Sequence, residues 1–147
     1  MKRLLNTLVL LAVFTSLPAA AQQSQEFGDY VVHYNALSSS LISQEVAKAY
    51  SIRRSDSRAL INISVLKSAD DQTTTAVSAE VTVSGRNLTG QVRQVDMREI
   101  NDGDGAIYYI GELSVRNMES FNFTAVVIPE GQNKPLTLKF RQQFYTE

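Results

Sequence analysis

Residues 77–84 read Val-Ser-Ala-Glu-Val-Thr-Val-Ser, and this strict alternation decides the fold of the chain. Successive side chains of a β-strand point to opposite faces, so the valines and the alanine share one face and the polar residues share the other. A strand with one apolar face and one polar face is typical of an antiparallel sheet that has a core on one side only. The same alternation recurs in four further segments, at 30–35, 61–65, 121–127 and 136–141.

The strongest turn signal is Asn-Asp-Gly-Asp-Gly at 101–105, because glycine, asparagine and aspartate adopt positive φ at little cost. We expect it to join a strand near 91–100 to one near 106–115, with a bulge where Val92 and Val95 fall on opposite faces. Other expected turns and loops lie at 69–72, 85–87 and 129–135. About seven strands at this spacing predict an all-β fold, an immunoglobulin-like antiparallel β-sandwich, although the Cys…Trp…Cys hallmark of immunoglobulin domains is missing.

One short helix is predicted at 44–50. Ser43 can accept a hydrogen bond from the first turn and so cap the helix. Val46, Ala49 and Tyr50 follow at the i, i+3 and i+4 positions, which would give the helix one apolar face. We expect this helix to lie across the end of a sheet.

Residues 1–21 have the three parts of a secretory signal peptide. Lys2 and Arg3 form a positive start, residues 4–17 form a short apolar core, and Pro-Ala-Ala-Ala at 18–21 forms a cleavage site. The apolar core is too short to span a bilayer as an anchor. We therefore predict export to the periplasm.

Cleavage would leave residues 22–147 as a single β-sandwich domain. The net charge of −1 would become about −3 without Lys2 and Arg3. This balance does not suit nucleic acid or a polybasic membrane-surface protein, so we expect no nucleic-acid partner and no membrane insertion of the mature chain. Cysteine is absent, which excludes disulfides and thiol catalysis.

No catalytic or metal-binding motif is found in the sequence. The one histidine, His33, lies in the middle of a predicted strand without a nucleophile elbow, so we expect a half-exposed strand residue. Zinc would need a cluster of His, Cys or acidic ligands, and the segment 101–105 lacks the distal glutamate of a calcium loop. We predict that the protein is not an enzyme and has no cofactor and no metal.

The one concentrated polar feature follows the predicted helix. Arg53, Arg54 and Arg58 lie within six residues and close to Tyr50. Guanidinium groups bind carboxylates and phosphates, and a tyrosine ring can stack on a ligand. These four residues are the candidate ligand-binding site, and the alternative is a solvated loop whose arginines pair with nearby acids.

Four stretches together resemble the bacterial exported family known as domain of unknown function 4426. They are FGDYVVHYNA at 27–36, VAKAYSIRRS at 46–55, AIYY at 106–109 and FRQQFY at 140–145. The resemblance covers residues 27–147 and implies a single small exported β domain. It implies no activity, ligand or catalytic residue.

Three functions fit these observations. The first is a non-catalytic binding or adaptor module of the bacterial envelope with an unknown partner, which would use sheet edges such as residues 136–145. The second is a small-anion or small-ligand binding protein that uses Tyr50, Arg53, Arg54 and Arg58. The third is a hydrolase with two carboxylates about 5–9 Å apart.

Overall fold

A computed structural model describes residues 23–147, which form two antiparallel sheets packed face to face. The predicted signal peptide, 1–21, lies outside the described residues. Sheet A contains β1 (Gln23–Phe27), β2 (Tyr30–Ser38), β3 (Arg58–Ser68), β4 (Thr74–Ala76), β7 (Arg98–Asn101) and β8 (Ile107–Ser114). Sheet B contains β5 (Ala79–Asn87), β6 (Val92–Val95), β9 (Glu119–Pro129) and β10 (Leu136–Phe144). A 3-10 turn (Ser39–Leu41) and the helix α1 (Gln44–Ala49) connect β2 to β3.

The strand order confirms an all-β sandwich. Sheet A runs β1-β2-β3-β8-β7, with β4 beside the end of β3, and sheet B runs β10-β9-β5-β6. The described residues form ten strands where about seven were predicted, because β1 is a polar edge strand without an apolar stripe and β4 has only three residues. The immunoglobulin-like type of sandwich is not confirmed.

The core lies between the two sheets and is built from the predicted apolar stripes. Ile61, Ile63 and Val65 of β3 are fully buried, and they face Phe121 and Phe123 of β9. The two phenylalanine rings stack with their centroids 5.7 Å apart. Burial of such side chains supplies the main stabilisation in a chain without disulfides.

The turn predicted at 85–87 is wrong. Strand β5 continues through Gly85 to Asn87, and Gly85 pairs with Arg93 of β6 and with Phe123 of β9. A Cβ atom on Gly85 would lie 2.9 Å from the Phe123 ring. The glycine therefore makes room for the aromatic core and is not a turn residue.

The single bulged strand predicted at 91–100 is also wrong. The chain crosses from sheet B to sheet A after Val95, so that β6 and β7 belong to different sheets. Gly111 of β8 makes the crossing possible, because a Cβ there would lie 2.5 Å from the Val95 side chain and 2.9 Å from the Asp96 carbonyl oxygen. The hairpin turn that follows is confirmed, with positive φ at Gly103.

Helix α1 begins where Ser43 predicts, since the Ser43 hydroxyl accepts from the Val46 N–H at 3.2 Å. The predicted apolar face is wrong. Ala47 is buried, whereas Val46 and Ala49 are exposed. Within residues 23–147 we find no helix with the length and apolarity that a membrane crossing requires.

Candidate functional site

The outer face of sheet A carries a second apolar cluster, separate from the core between the sheets. Leu60, Ile100 and Ile110 point outward from β3, β7 and β8, because alternate residues of these strands face the core. The segment 42–52, which contains α1, crosses this face and buries Ala47 against it. The small alanine side chain lets the helix approach the sheet closely.

Two arginines fix the position of this segment. The Arg54 guanidinium donates to the carbonyl oxygens of Ile42 at 2.6 Å and Ser40 at 3.1 Å. Arg98 of β7 donates to the carbonyl oxygen of Tyr50, which ends the helix. Both ends of the segment are therefore tied down, and the space between helix and sheet is formed before any ligand binds.

That space is a recess of about 320 Å³, which we call the outer recess. Its size lies at the lower end of the range for small-molecule sites. Apolar side chains dominate its wall, and the polar side chains are an asparagine, an aspartate and two tyrosines. The lining residues are Ile42, Val46, Tyr50, Ile52, Leu60, Asn62, Ile100, Asp102, Tyr108 and Ile110.

Asn62 is the unusual member of this wall. It lies in the middle of β3, opposite Asn35 on one side and Ile110 on the other. Its Oδ1 atom is buried and has no hydrogen-bond partner among residues 23–147. A buried polar atom normally finds a partner, and one without a partner costs about 1–3 kcal/mol of stability. Asn62 therefore places an unused acceptor just behind the apolar wall of the recess, where neighbouring atoms cover it in this side-chain arrangement.

His33 lies on the same face of sheet A, one strand away from Asn62. It pairs with Ser64 in the β2–β3 ladder and is half-buried, which agrees with the predicted strand residue. Its Nδ1 atom is also buried without a partner in the described range. His33 does not line the outer recess. It lies beside the recess and contributes no atom to its wall.

A larger hollow of about 520 Å³ lies between the β1–β2 turn and the β9–β10 loop. Residues such as Gly28, Asp29, Lys134 and Pro135 line it. Neither of the two orphaned side-chain atoms found in the described residues belongs to this hollow. Size alone does not identify a binding site, and the outer recess is the better candidate because its wall contains an unsatisfied group.

The structure separates the four residues predicted as a ligand site. Tyr50 lines the outer recess, but none of the three arginines does. The Arg54 side chain is engaged with backbone carbonyls, and Arg58 forms an ion pair with Glu112 at 3.4 Å. Arg53 is exposed, and its backbone N–H donates to the same Glu112 carboxylate at 3.2 Å. Binding of a ligand by these residues stays a prediction.

Sequence reasoning missed Asn62 and Tyr108 as site residues. The alternation at 61–65 assigned Asn62 to the polar face of its strand, which is confirmed. For the pair Tyr108-Tyr109 it predicted one ring in the core and one outside, without saying which. In the structure Tyr109 is buried and Tyr108 is 38% exposed. The missing information was that α1 packs on this outward face. The signal available in the sequence was the outward apolar row of Leu60, Ile100 and Ile110.

Comparisons with known proteins identify a family, and solved structures are among the matches. The family described as "Domain of unknown function (DUF4426)" matches residues 24–147. A crystal structure of a DUF4426 family protein from Pseudomonas aeruginosa is 31% identical in sequence, with a TM-score of 0.73. The match covers 86% of this chain and 97% of that one. No curated protein matches the chain.

Proposed function

Since the chain belongs to the DUF4426 family, a domain of unknown function, we propose that it is an exported, non-catalytic binding module of the bacterial envelope. The module acts in the periplasm after removal of residues 1–21. It holds a small, largely apolar ligand in the outer recess, with a hydrogen-bond donor of the ligand on Asn62. The export step rests on the signal-peptide pattern of the sequence.

The orphaned Oδ1 atom of Asn62 is the observation that carries this proposal. Leucine has a similar branched shape and no unsatisfied acceptor, so the asparagine lowers the stability of the isolated domain. Rotation of the carboxamide would turn the acceptor into the recess, where a ligand that brings an N–H or O–H group would satisfy it and cover the apolar wall. The ligand class is therefore an apolar body with at least one donor group.

The anion site predicted at Tyr50, Arg53, Arg54 and Arg58 has less support. Arg54 and Arg58 already bind groups of the protein, and Tyr50 belongs to the outer recess. Ligand binding at Tyr50 is retained in the proposal, without the arginines.

The test uses N-phenyl-1-naphthylamine, a neutral fluorescent probe with apolar rings and one N–H donor. Val46 lines the recess and is 42% exposed, so Val46→Trp fills the recess from its rim without disturbing the core. Val92→Trp is the matched control, since Val92 is 47% exposed and lies on sheet B. Each variant adds one tryptophan to a chain that has none, so their fluorescence backgrounds are comparable.

We expect saturable binding to the unchanged protein, roughly tenfold weaker binding to Val46→Trp, and no change with Val92→Trp; tenfold corresponds to about 1.4 kcal/mol. Equal binding to the two variants would place the probe outside the outer recess and contradict the proposal. Native mass spectrometry of the protein recovered gently from its envelope then gives the mass of the natural ligand. A bare monomer beginning at Gln22 would support export and favour an adaptor role over ligand carriage.

A further inference from the structure

Charge is strongly segregated between the two ends of the sandwich. We call one end the arginine end; it contains the loops and strand ends at 53–58, 86–93, 114–119 and 141–147, which the β-ladders bring together. Seven of the eight arginines of residues 23–147 lie there, with only three of the fifteen acidic residues. The opposite end, with the loops at 28–29, 69–73, 101–106 and 130–135, has six acidic residues and one lysine.

Most of these arginines are not neutralised by the protein. Arg58 pairs with Glu112, and Arg93 approaches Glu119 at 4.0 Å. The other five have no carboxylate oxygen within 4.0 Å in the part of the chain that the structure describes; they are Arg53, Arg54, Arg86, Arg116 and Arg141. Arg54 and Arg86 donate to backbone carbonyl oxygens, which leaves their positive charge without a carboxylate partner. The net positive charge of this exposed end can therefore attract an external anion.

The same end carries the most exposed apolar side chains. Leu41, Leu88, Met118 and Tyr145 are 74%, 68%, 61% and 61% exposed, the four highest values for large hydrophobic residues in the described range. Each lies in a turn or beyond the end of a strand, and Met118 is held at a positive φ of 59°. A non-glycine residue rarely adopts this conformation, which here occurs at the residue just before β9 begins.

Contacts connect the segments that carry these four exposed apolar side chains. Leu41 and Tyr145 line one shared hollow. The Gln143 side chain donates to the Met118 carbonyl oxygen at 3.0 Å. Asn87, which precedes Leu88, donates to Glu119 at 3.2 Å. The loops that carry the exposed apolar side chains and the arginines thus form one continuous surface.

We propose that the arginine end docks on an anionic phospholipid membrane. Guanidinium groups match phosphate geometry, and single apolar side chains can enter the boundary between headgroups and acyl chains. A stable protein interface would instead bury a contiguous apolar centre within about 800 Å² on each side, whereas these four side chains come from four separate segments of the chain. The acidic opposite end would be repelled by the same surface, which fixes the orientation of the molecule.

The test is sedimentation with vesicles of phosphatidylglycerol and phosphatidylethanolamine, compared with vesicles of phosphatidylcholine alone. The protein is used in the form that the cell accumulates, with its N-terminus read by mass spectrometry, because an apolar leader would bind bilayers by itself. We expect binding to the anionic vesicles only, and loss of that binding in high salt.

Charge-reversal variants assign the binding to the arginine end. The triple variant Arg86→Glu/Arg116→Glu/Arg141→Glu should weaken binding roughly a hundredfold or more, since each basic residue near an anionic surface contributes about fivefold. The matched control is Lys48→Glu/Lys67→Glu/Lys134→Glu, which has the same net charge and should bind far more tightly. Leu88→Ser/Met118→Ser should weaken binding roughly tenfold. Thermal unfolding of each variant confirms that it is folded.

Equal weakening by the two triple variants would overturn the proposal, because net charge alone would then explain the binding. Absence of binding to the anionic vesicles would also overturn it and would direct the search to an acidic protein partner. Sedimentation equilibrium tests whether a second copy of the protein binds to the arginine end instead. Self-association that the arginine triple variant abolishes would mean that the arginine end binds the acidic end of a second copy.

Discussion

Replacement of Asn62 by leucine should make the protein more stable and less able to bind the neutral probe. The carboxamide oxygen is buried without a partner, and an unsatisfied polar group of this kind costs about 1–3 kcal/mol. Because Asn62 as a whole is only partly buried, we expect the lower end of this range. Leucine would also pack against Ile110, its neighbour across the β3–β8 ladder.

The expected gain is about 1 kcal/mol in the free energy of unfolding, or a rise of roughly 4 °C in Tm for a domain of this size. Urea unfolding at equilibrium measures the first quantity and calorimetry the second. Asn35→Leu is the matched control, since Asn35 lies directly opposite Asn62 on the same face and is exposed. Its effect should stay within about 0.5 kcal/mol.

Probe binding should weaken in Asn62→Leu although the recess becomes more apolar. This opposite change of stability and binding distinguishes a ligand acceptor from a structural asparagine. A loss of stability would show that the Oδ1 atom has a partner in solution, and Asn62 would then have no acceptor to offer a donor-bearing ligand. A gain of stability with unchanged or stronger probe binding would keep the recess and remove the role of Asn62.

Three further predictions concern the scaffold. Gly111→Ala should lower the free energy of unfolding by about 1–3 kcal/mol, because the added Cβ would lie 2.9 Å from the backbone oxygen of Asp96. An unchanged urea midpoint would mean that the crossing from β6 to β7 does not require a glycine at this position. Burial raises the pKa of the Tyr109 hydroxyl, so the unfolded chain loses this proton first and the free energy of unfolding should fall as the pH rises above about 10. Tyr109→Phe should reduce that loss of stability at alkaline pH. At neutral pH it should lower the free energy of unfolding, because the Ala79 N–H donates to the hydroxyl at 2.8 Å and would lose its partner. Ser39→Ala should lower the free energy of unfolding by about 1–3 kcal/mol in urea, because the buried hydroxyl accepts from the Ser55 N–H at 3.0 Å and donates its one proton to the Arg53 carbonyl oxygen at 2.7 Å. A cost below about 0.5 kcal/mol would mean that water replaces the hydroxyl.

Local patterns were sufficient to predict most of the fold. Alternation at 61–65 and 121–127 identified buried faces correctly, because a strand with one buried side must place its apolar residues at every second position. The turn at 101–105 was predictable because its glycines adopt the positive φ that the hairpin needs. Gly85 was misread for a related reason. A glycine after an alternating segment can either end the strand in a turn or continue the strand and leave space for a neighbouring ring. Only the position of Phe123 decides between the two.

The candidate site was much less predictable, since it depends on which element covers which face. The helix was expected, but its buried residue is Ala47 and not the triad Val46, Ala49 and Tyr50. A six-residue helix has too few turns for its periodicity to select a face. Asn62 was correctly placed on an outward face, yet outward did not mean solvent-exposed once α1 had packed there. Neighbours in space that are distant in sequence therefore decided the site.

The arginine end was also not predictable from the sequence, because its arginines come from distant parts of the chain. The sequence draws attention to Arg53, Arg54 and Arg58 because they are adjacent in the chain, whereas the structure adds Arg86 and others to the same end. A net charge of −1 also hides this arrangement, because it averages a basic end and an acidic end. Strand β9 has 11 residues, as does β3, and it separates the ends by about 35 Å at 3.2–3.4 Å per residue. This distance is about four times the screening length of about 8 Å at physiological salt, so neither end senses the charge of the other. An overall negative charge is therefore no argument against an anionic membrane as the partner of the arginine end.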